Sequence, residues 1–370
     1  MNDPQIEIPA ALNCEQLLLD SFPKWSENRL TGLQTLVISP GLAQTAGRLA
    51  EQKEVAEVHA WHMDLHDAAQ TAALWDHIRN EAVHQPAVDI EVLSGADLPE
   101  NGYGLIAMAI LKRGEAELTR ELLQQSHDRL ETGGWLVCSV DNPKDTWLHD
   151  QLKPLFPKVT AERLNKGCVY WARKNKPLKK QKNFESQFEF RDRDQTFKVV
   201  TRPGVFSHRR LDPAAKQLML SSDIGPTDNV LEMGCGSGAV SLSAASCTSG
   251  TVFAVDSNAR AIQCLKKSAE MNGLENIQTI WNADGEIELG TPIDLAFANP
   301  PYFGDDLISQ HFVDCSLAAL RVGGALLTVT KQPGWYEAYY DSLGLEDIAI
   351  FEAGNYFVAC GRKSGLLGEG

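Results

Sequence analysis

Asn299-Pro300-Pro301-Tyr302 sets an amide, two ring-locked residues and an aromatic ring in four consecutive positions. An exocyclic amine conjugated with a ring has little lone pair to offer an electrophile. The side-chain carbonyl of Asn299 and the main-chain carbonyl of Pro300 can both accept from such an amine, drawing its nitrogen toward tetrahedral geometry. The prolines stiffen the loop, and Tyr302 can stack on a planar group. Transfer to that nitrogen then depends on positioning rather than on a dedicated base. Taken alone, these residues would serve equally well as a turn closing a strand. A second group bears on that choice. Glu232-Met233-Gly234-Cys235-Gly236-Ser237-Gly238 sets three glycines two apart behind an acidic residue. Glycines let the backbone approach a ligand and take torsions other residues avoid, and a helix start behind them offers free N–H groups. A dinucleotide site would favour Gly-x-Gly-x-x-Gly and a phosphate, which Glu232 would repel. This turn suits a ligand with a cationic or zwitterionic group, and S-adenosylmethionine, with its sulfonium and amino-acid tail, meets that demand.

Such residues must be delivered by strands. Asn229-Val230-Leu231 runs apolar into the glycine turn, and Ala239, Val240, Leu242 and Ala245 resume at helical spacing. Val252-Phe253-Ala254-Val255 ends at Asp256-Ser257, where a carboxylate could hold ribose hydroxyls. Ile277 to Trp281 leads to Asn282-Ala283-Asp284, where a second carboxylate could accept from an adenine amino group. The run 293–298 then delivers Asn299. Four polar strand ends converge on one crevice at the carboxyl edge of a parallel sheet. The pattern predicts helices over 238–246, 258–272, 306–320 and near 335–343, with a strand over 325–330. Strands over 347–351 and 355–361 close the half as an antiparallel edge pair. Ahead of all this, Arg202-Pro203-Gly204-Val205-Phe206-Ser207 precedes Asp212-Pro213, a helix N-cap with proline in the first turn.

The first half alternates in the same way. A short helix near 14–20 precedes strands at 35–39, 58–61, 90–93, 104–109 and 135–140. Ala96-Asp97 echoes Ala283-Asp284, Gly133-Gly134 echoes Gly323-Gly324, and Arg173-Lys174 echoes Arg362-Lys363, at offsets of 187, 190 and 189 residues. Three ordered matches at one offset imply two copies of one fold. The copies are unequal. Pro40-Gly41-Leu42 stands where the glycine turn should recur, Trp61-His62 or Asp64 where Asp256 should, and Ile110-Leu111-Lys112 where Asn299-Pro300-Pro301 should. The first copy is therefore expected to bind no cofactor. The domains expected are 1–174 (degenerate), 175–200 (basic linker and β-hairpin) and 201–370 (catalytic).

The chain has 370 residues, 43% hydrophobic and 22% charged, fitting two globular domains of α/β class. Its apolar runs are too short for a membrane span, and its first residues lack the basic start of a signal, so a cytoplasmic protein is expected. Eight cysteines without a Cys-x-x-Cys pair read as reduced thiols rather than a zinc site. His59, His62 and His66 cluster, but with no cysteine or helix register to support them the expectation is no metal. A net charge of −15 argues against a broadly nucleic-acid-coated surface, although Arg173, Lys174, Lys176, Lys179, Lys180 and Lys182 form a local basic run suited to phosphate.

The set Glu-x-Gly-Cys-Gly-x-Gly, Asp256, Asp284 and Asn299-Pro300-Pro301-Tyr302 resembles the class I methyltransferases, whose fold is Rossmann-like and seven-stranded. The duplicated chain, over about 40–363, is similar to the bacterial ribosomal RNA guanine-N2 methyltransferases of the RsmC and RlmG kind. These pair a degenerate N-terminal methyltransferase-like domain with an active C-terminal one. The resemblance implies two tandem domains, S-adenosylmethionine as cofactor, methylation of N2 of a guanine in ribosomal RNA, and a monomer acting on RNA or a ribosomal subunit. It implies a flipped-out target base, with the N-terminal copy and the lysine linker holding the surrounding RNA. It implies Asn299, Pro300, Pro301 and Tyr302 as catalytic. It implies Phe206, Glu232, Gly234, Cys235, Gly236, Gly238, Asp256, Ser257, Ala283, Asp284 and Asn299 as cofactor-binding, with the segment around Phe206 over the pocket. One departure stands out: Tyr302-Phe303 replaces the family's usual Phe-His, which leaves the base and site open. The motif also serves adenine-N6 and protein-glutamine methyltransferases, and a non-catalytic RNA-binding or assembly factor is the alternative of another class.

Overall fold

The computed structural model describes residues 9–27, 29–30, 32–80, 87–100, 102–301 and 306–365. The chain divides between Phe184 and Glu185 into two compact units. In the first, helices α1 (Asn13–Asp20) and α2 (Phe22–Ser26) precede strands β1 (Leu33–Ile38), β2 (Val55–His62), β3 (Ile90–Ser94), β4 (Tyr103–Ile110), β5 (Leu130–Val140), β6 (Val159–Leu164) and β7 (Gly167–Arg173). Helices α3 (Gln44–Ala50), α4 (Leu65–Asn80), α5 (Ala116–Arg129) and α6 (Trp147–Leu152) connect them. The sheet runs β3-β2-β1-β4-β5-β7-β6, parallel except at β7 and β6. Every residue of the central strand β4 is buried, as expected of a strand covered on both faces.

The second unit opens with a hairpin, β8 (Ser186–Asp192) and β9 (Gln195–Thr201), then α7 (Pro213–Ser221). Strands β10 (Val230–Met233), β11 (Val252–Asp256), β12 (Ile277–Trp281), β13 (Ile293–Ala298), β14 (Leu320–Thr330), β15 (Glu346–Ala353) and β16 (Tyr356–Arg362) follow. Helices α8 (Ala239–Ala245), α9 (Ala259–Asn272), α10 (Asp306–Ala319) and α11 (Pro333–Ser342) alternate with them. The order β12-β11-β10-β13-β14-β16-β15 repeats the first sheet strand for strand. Each unit is a seven-stranded Rossmann-like α/β fold, and the two stand in tandem as expected.

The repetition extends to single bonds. Strands β5 and β14 share one pattern of buried and exposed positions, and Gly133 and Gly323 both take positive φ. Gly133 N–H donates to Lys174 O at 2.7 Å, and Gly323 N–H to Lys363 O at 2.8 Å. Arg173 Nε and Arg362 Nη1 each donate to the carbonyl of that glycine at 2.8 Å. Lys174 Nζ donates to Asp128 O and Leu130 O, as Lys363 Nζ does to Leu317 O and Leu320 O. This corrects one reading of the basic run. Arg173 and Lys174 brace the strand ends; Lys174 is buried, whereas Arg173, Lys176, Lys179, Lys180 and Lys182 are exposed.

Candidate functional site

In the second unit the crevice is built at the carboxyl ends of β10, β11, β12 and β13. Pairing sets Met233 opposite Val255 on one side and Ala298 on the other, so Gly234 and Asn299 leave adjacent strand ends. Gly234 turns the chain at φ +72°, and a Cβ there would meet Phe312 Cε1 of α10 at 2.6 Å. Gly238 caps α8 at φ +79°, with Leu265 Cδ1 at 2.4 Å from where its Cβ would be. Positions 234 and 238 are thus closed to side chains. Cys235 lies buried inside it, and burial pushes its thiol well above the ordinary range, so it lines the turn as an unreactive group.

Glu232 does not face the solvent of the crevice. It is a buried strand residue accepting from the hydroxyl of Ser241 on α8. Burial raises its pKa from 4.5 to about 8, with Asp256 adding to the rise and the Ser241 bond opposing it. The repulsion expected of a Glu232 carboxylate toward phosphate is therefore muted at neutral pH. Asp256 Oδ2 accepts from Gly236 N–H at 2.7 Å and its Oδ1 from Asn258 N–H at 2.8 Å. One carboxylate thereby joins the glycine turn to the start of α9.

Asp256 and Asp284 are brought together through the backbone: Asn282 N–H donates to Asp256 O at 3.2 Å, and Trp281 Nε1 to Ser257 O at 2.8 Å. Asp284 is exposed and accepts from Glu286 N–H and Asn282 Nδ2, bonds that hold its carboxyl below the usual range. Ala283 lies between Asn282 and Asp284, half-buried. Phe206, 58% exposed, rests on the turn: a Cβ on Gly236 would stand 3.3 Å from the Phe206 Cβ. Two residues that sequence reading passed over hold its segment. Asn258 Nδ2 donates to Gly204 O at 2.9 Å, and the fully buried Arg260 donates to Pro203 O at 2.6 Å. Asn258 carries a signal that could have found it, since its side chain also caps α9 through Arg260 N–H and Ala261 N–H.

Asn299 leaves β13 half-buried, with Pro300 buried and Pro301 exposed. Its Nδ2 donates to Asp212 Oδ2 at 3.0 Å, the same oxygen that accepts from Ala215 N–H at 2.9 Å as the cap of α7. The expected N-cap therefore also orients the expected catalytic amide. Tyr302 lies outside the described residues. The arrangement fits a nucleoside-bearing ligand: two strand-end carboxylates, a narrow glycine turn and an aromatic cover.

The first unit differs at the matching turn. After β1, Ala43 in the left-handed region starts α3, and the buried Glu15 of α1 accepts from Gln44 N–H at 3.1 Å. A Cβ on Gly41 would strike Glu15 Oε2 at 2.5 Å. An internal carboxylate thus packs against this turn, where the second unit brings glycines. His62 ends β2 where Asp256 ends β11; it is buried beside Thr71, and burial lowers its pKa to about 4.

Residues 196–355 match the family model of the methyltransferase small domain. The chain is similar to the ribosomal RNA small subunit methyltransferase C of Hahella chejuensis, at 27% identity over 60% of this chain and 61% of that protein. It is 31% identical to the Pseudomonas entomophila protein of the same name, over 44% of this chain and 51% of the other. The matches thus span about half to three fifths of these relatives' length. The fold is shared with the Thermus thermophilus 16S rRNA N2 G1207 methyltransferase (RsmC), solved with AdoMet and guanosine. The TM-score is 0.71 at 20% identity, covering 90% of this chain and 88% of that one. Among the described residues, no helix is long and apolar enough to cross a membrane.

Proposed function

We propose that this chain is an S-adenosylmethionine-dependent methyltransferase acting on N2 of a guanine in ribosomal RNA. The observation that carries this reading is the bond from Asn299 Nδ2 to Asp212 Oδ2, 3.0 Å long. It commits the donor end of the amide to the protein, which supports a reading in which the amide serves a substrate as an acceptor. An acceptor at this point recognises an N–H-bearing nucleophile. The guanine-N2 activity in the fold neighbour's description and the names of the curated relatives support the choice of amine and of RNA.

When bound, S-adenosylmethionine supplies an electrophilic methyl group on a sulfonium. The residues of this chain do the rest by positioning. Asp256 and Asp284 hold the nucleoside end, the glycine turn admits the backbone approach, and Phe206 covers the site against water. Asn299 Oδ1 and the Pro300 carbonyl take the two N–H groups of the guanine amine, turning its lone pair toward the methyl. The proton leaves the ammonium product after transfer, so no side chain is required as base. Tyr302 stacks on the flipped base. The first unit and the exposed lysines 176, 179, 180 and 182 contact RNA phosphates, and the protein works in the cytoplasm on RNA or a ribosomal subunit.

The test uses S-adenosylmethionine with a labelled methyl group and each ribosomal subunit from cells lacking this gene, followed by nucleoside mass spectrometry. Label in N2-methylguanosine that vanishes with Asn299→Ala is expected. Label in N6-methyladenosine would keep the mechanism and overturn the substrate, and absence of label in RNA would overturn the reading.

A further inference from the structure

The first unit holds a cluster with no part in methyl transfer. Glu57 and His59 lie two apart on β2, hence on one face, and Glu91 of the edge strand β3 pairs directly with His59. His59 is 2% exposed. Its Nδ1 lies 2.7 Å from Tyr103 Oη. Its Nε2 lies 3.1 Å from Glu57 Oε1 and 3.3 Å from Glu91 Oε2, yet makes a hydrogen bond to neither. A buried imidazole nitrogen thus points between two carboxylate oxygens, and all three atoms fall within 4.8 Å of one another.

We propose that Glu57, His59 and Glu91 form a binding site for a divalent transition-metal ion, with zinc as its best-fitting occupant. A tetrahedral ion with bonds of about 2.0–2.2 Å separates its ligand atoms by roughly 3.3–3.6 Å, close to the observed spacing from Nε2. An imidazolium held by ion pairing alone would aim its N–H at one oxygen, which this geometry does not. Imidazole with two carboxylates selects zinc over the oxygen-seeking magnesium and calcium, and the two negative charges balance the ion. Tyr103 supplies the outer contact that fixes a ligating ring through its other nitrogen. The glutamate side chains are 40% and 62% exposed, so the fourth position opens to water. His62 and His66, neighbours in sequence, take no part, being bonded to Thr71 and Gln70. Counted back from the strand ends His62 and Asp256, the second unit has Phe253 and Gln278 at the positions of His59 and Glu91. The site belongs to the first copy alone, where the ion would clip β3 to β2.

The full chain, stripped with chelator, is titrated with zinc chloride by calorimetry, and its melting is followed with and without the ion. One equivalent is expected to bind and to raise the melting temperature of the wild type. Glu91→Gln and Glu57→Gln, at partly exposed positions that should not impair folding, are each expected to weaken binding by about 10- to 100-fold and to abolish the shift. His66→Gln is expected to bind as the wild type does. Absence of saturable binding overturns the proposal, as does an equivalent that Glu91→Gln and Glu57→Gln retain with unchanged affinity, which would place zinc on thiols elsewhere.

Discussion

Asn299 and Asp212 share one hydrogen bond but have different tasks, and substitutions separate them. On the proposed function, Asn299→Ala removes the acceptor that acts on the reacting amine, so turnover is expected to fall by about 10²–10³-fold with cofactor affinity nearly unchanged. That split is read by comparing single-turnover rates with calorimetric binding. Asp212→Ser keeps a cap for α7 but is too short to hold Asn299, whereas Asp212→Ala loses both and about 1 kcal/mol of stability. Equal losses of turnover in the two variants, with only the alanine form less stable, identify Asp212 as a positioning residue. Glu232 makes a pH prediction. Its folded pKa of about 8 stands above the ordinary 4.5, so its contribution to stability is complete below pH 4.5 and is lost as pH rises toward 8. Glu232→Gln retains a partner for Ser241 and is expected to flatten that decline in denaturant midpoints measured between pH 5 and 8. The types of these residues were legible in the sequence, because Asn-Pro-Pro-Tyr and the spaced glycines are local patterns. Their partners were not. The bond from Asn299 to Asp212 spans 87 positions, and the state of Glu232 depends on burial that no local pattern reports.

At the scale of elements, the glycine turn is where backbone and packing constrain each other. A side chain at 234 faces a positive φ, costing about 1–2 kcal/mol, and a collision with Phe312. Gly234→Ala is therefore expected to lower the melting temperature and weaken cofactor binding. Adding Phe312→Leu should recover the part due to collision but not the part due to torsion. Full recovery would show that the torsion carries no cost, and no recovery that Phe312 is not the obstacle. Strands buried on both faces, such as β4 and β13, were readable as apolar runs, and α7 and α9 by their caps. The sequence reading passed over β6 and α4 for a physical reason. Strand β6 is an edge strand with no fully buried residue, and α4 buries only Ala68, Thr71 and Leu74 of its 16 residues, so neither shows a clear period.

At the scale of the molecule, one topology appears twice, with the glycine turn and Asn299-Pro300-Pro301 in one copy only. The backbone bonds between Gly133 and Lys174 and between Gly323 and Lys363 match atom for atom, while the turns after β1 and β10 differ, one packed by Glu15 and the other bent by glycines. The shared contacts are those each sheet needs for its own stability, and the turns that differ are the ones the proposed function assigns to the ligand. Each buried core cluster draws its residues from a single unit, so the second unit carries a complete core of its own. A fragment of residues 185–370 is expected to fold and to bind S-adenosylmethionine about as tightly as the full chain. It lacks Lys176, Lys179, Lys180 and Lys182, all exposed and all before the boundary. If these four meet phosphates of single-stranded RNA, the slope of log affinity against log salt should be steeper in the full chain by up to about 3. Filter binding of both proteins over a salt series measures this directly. Equal slopes would mean that RNA is held by the second unit alone, and the first copy would then need another reason to have been kept.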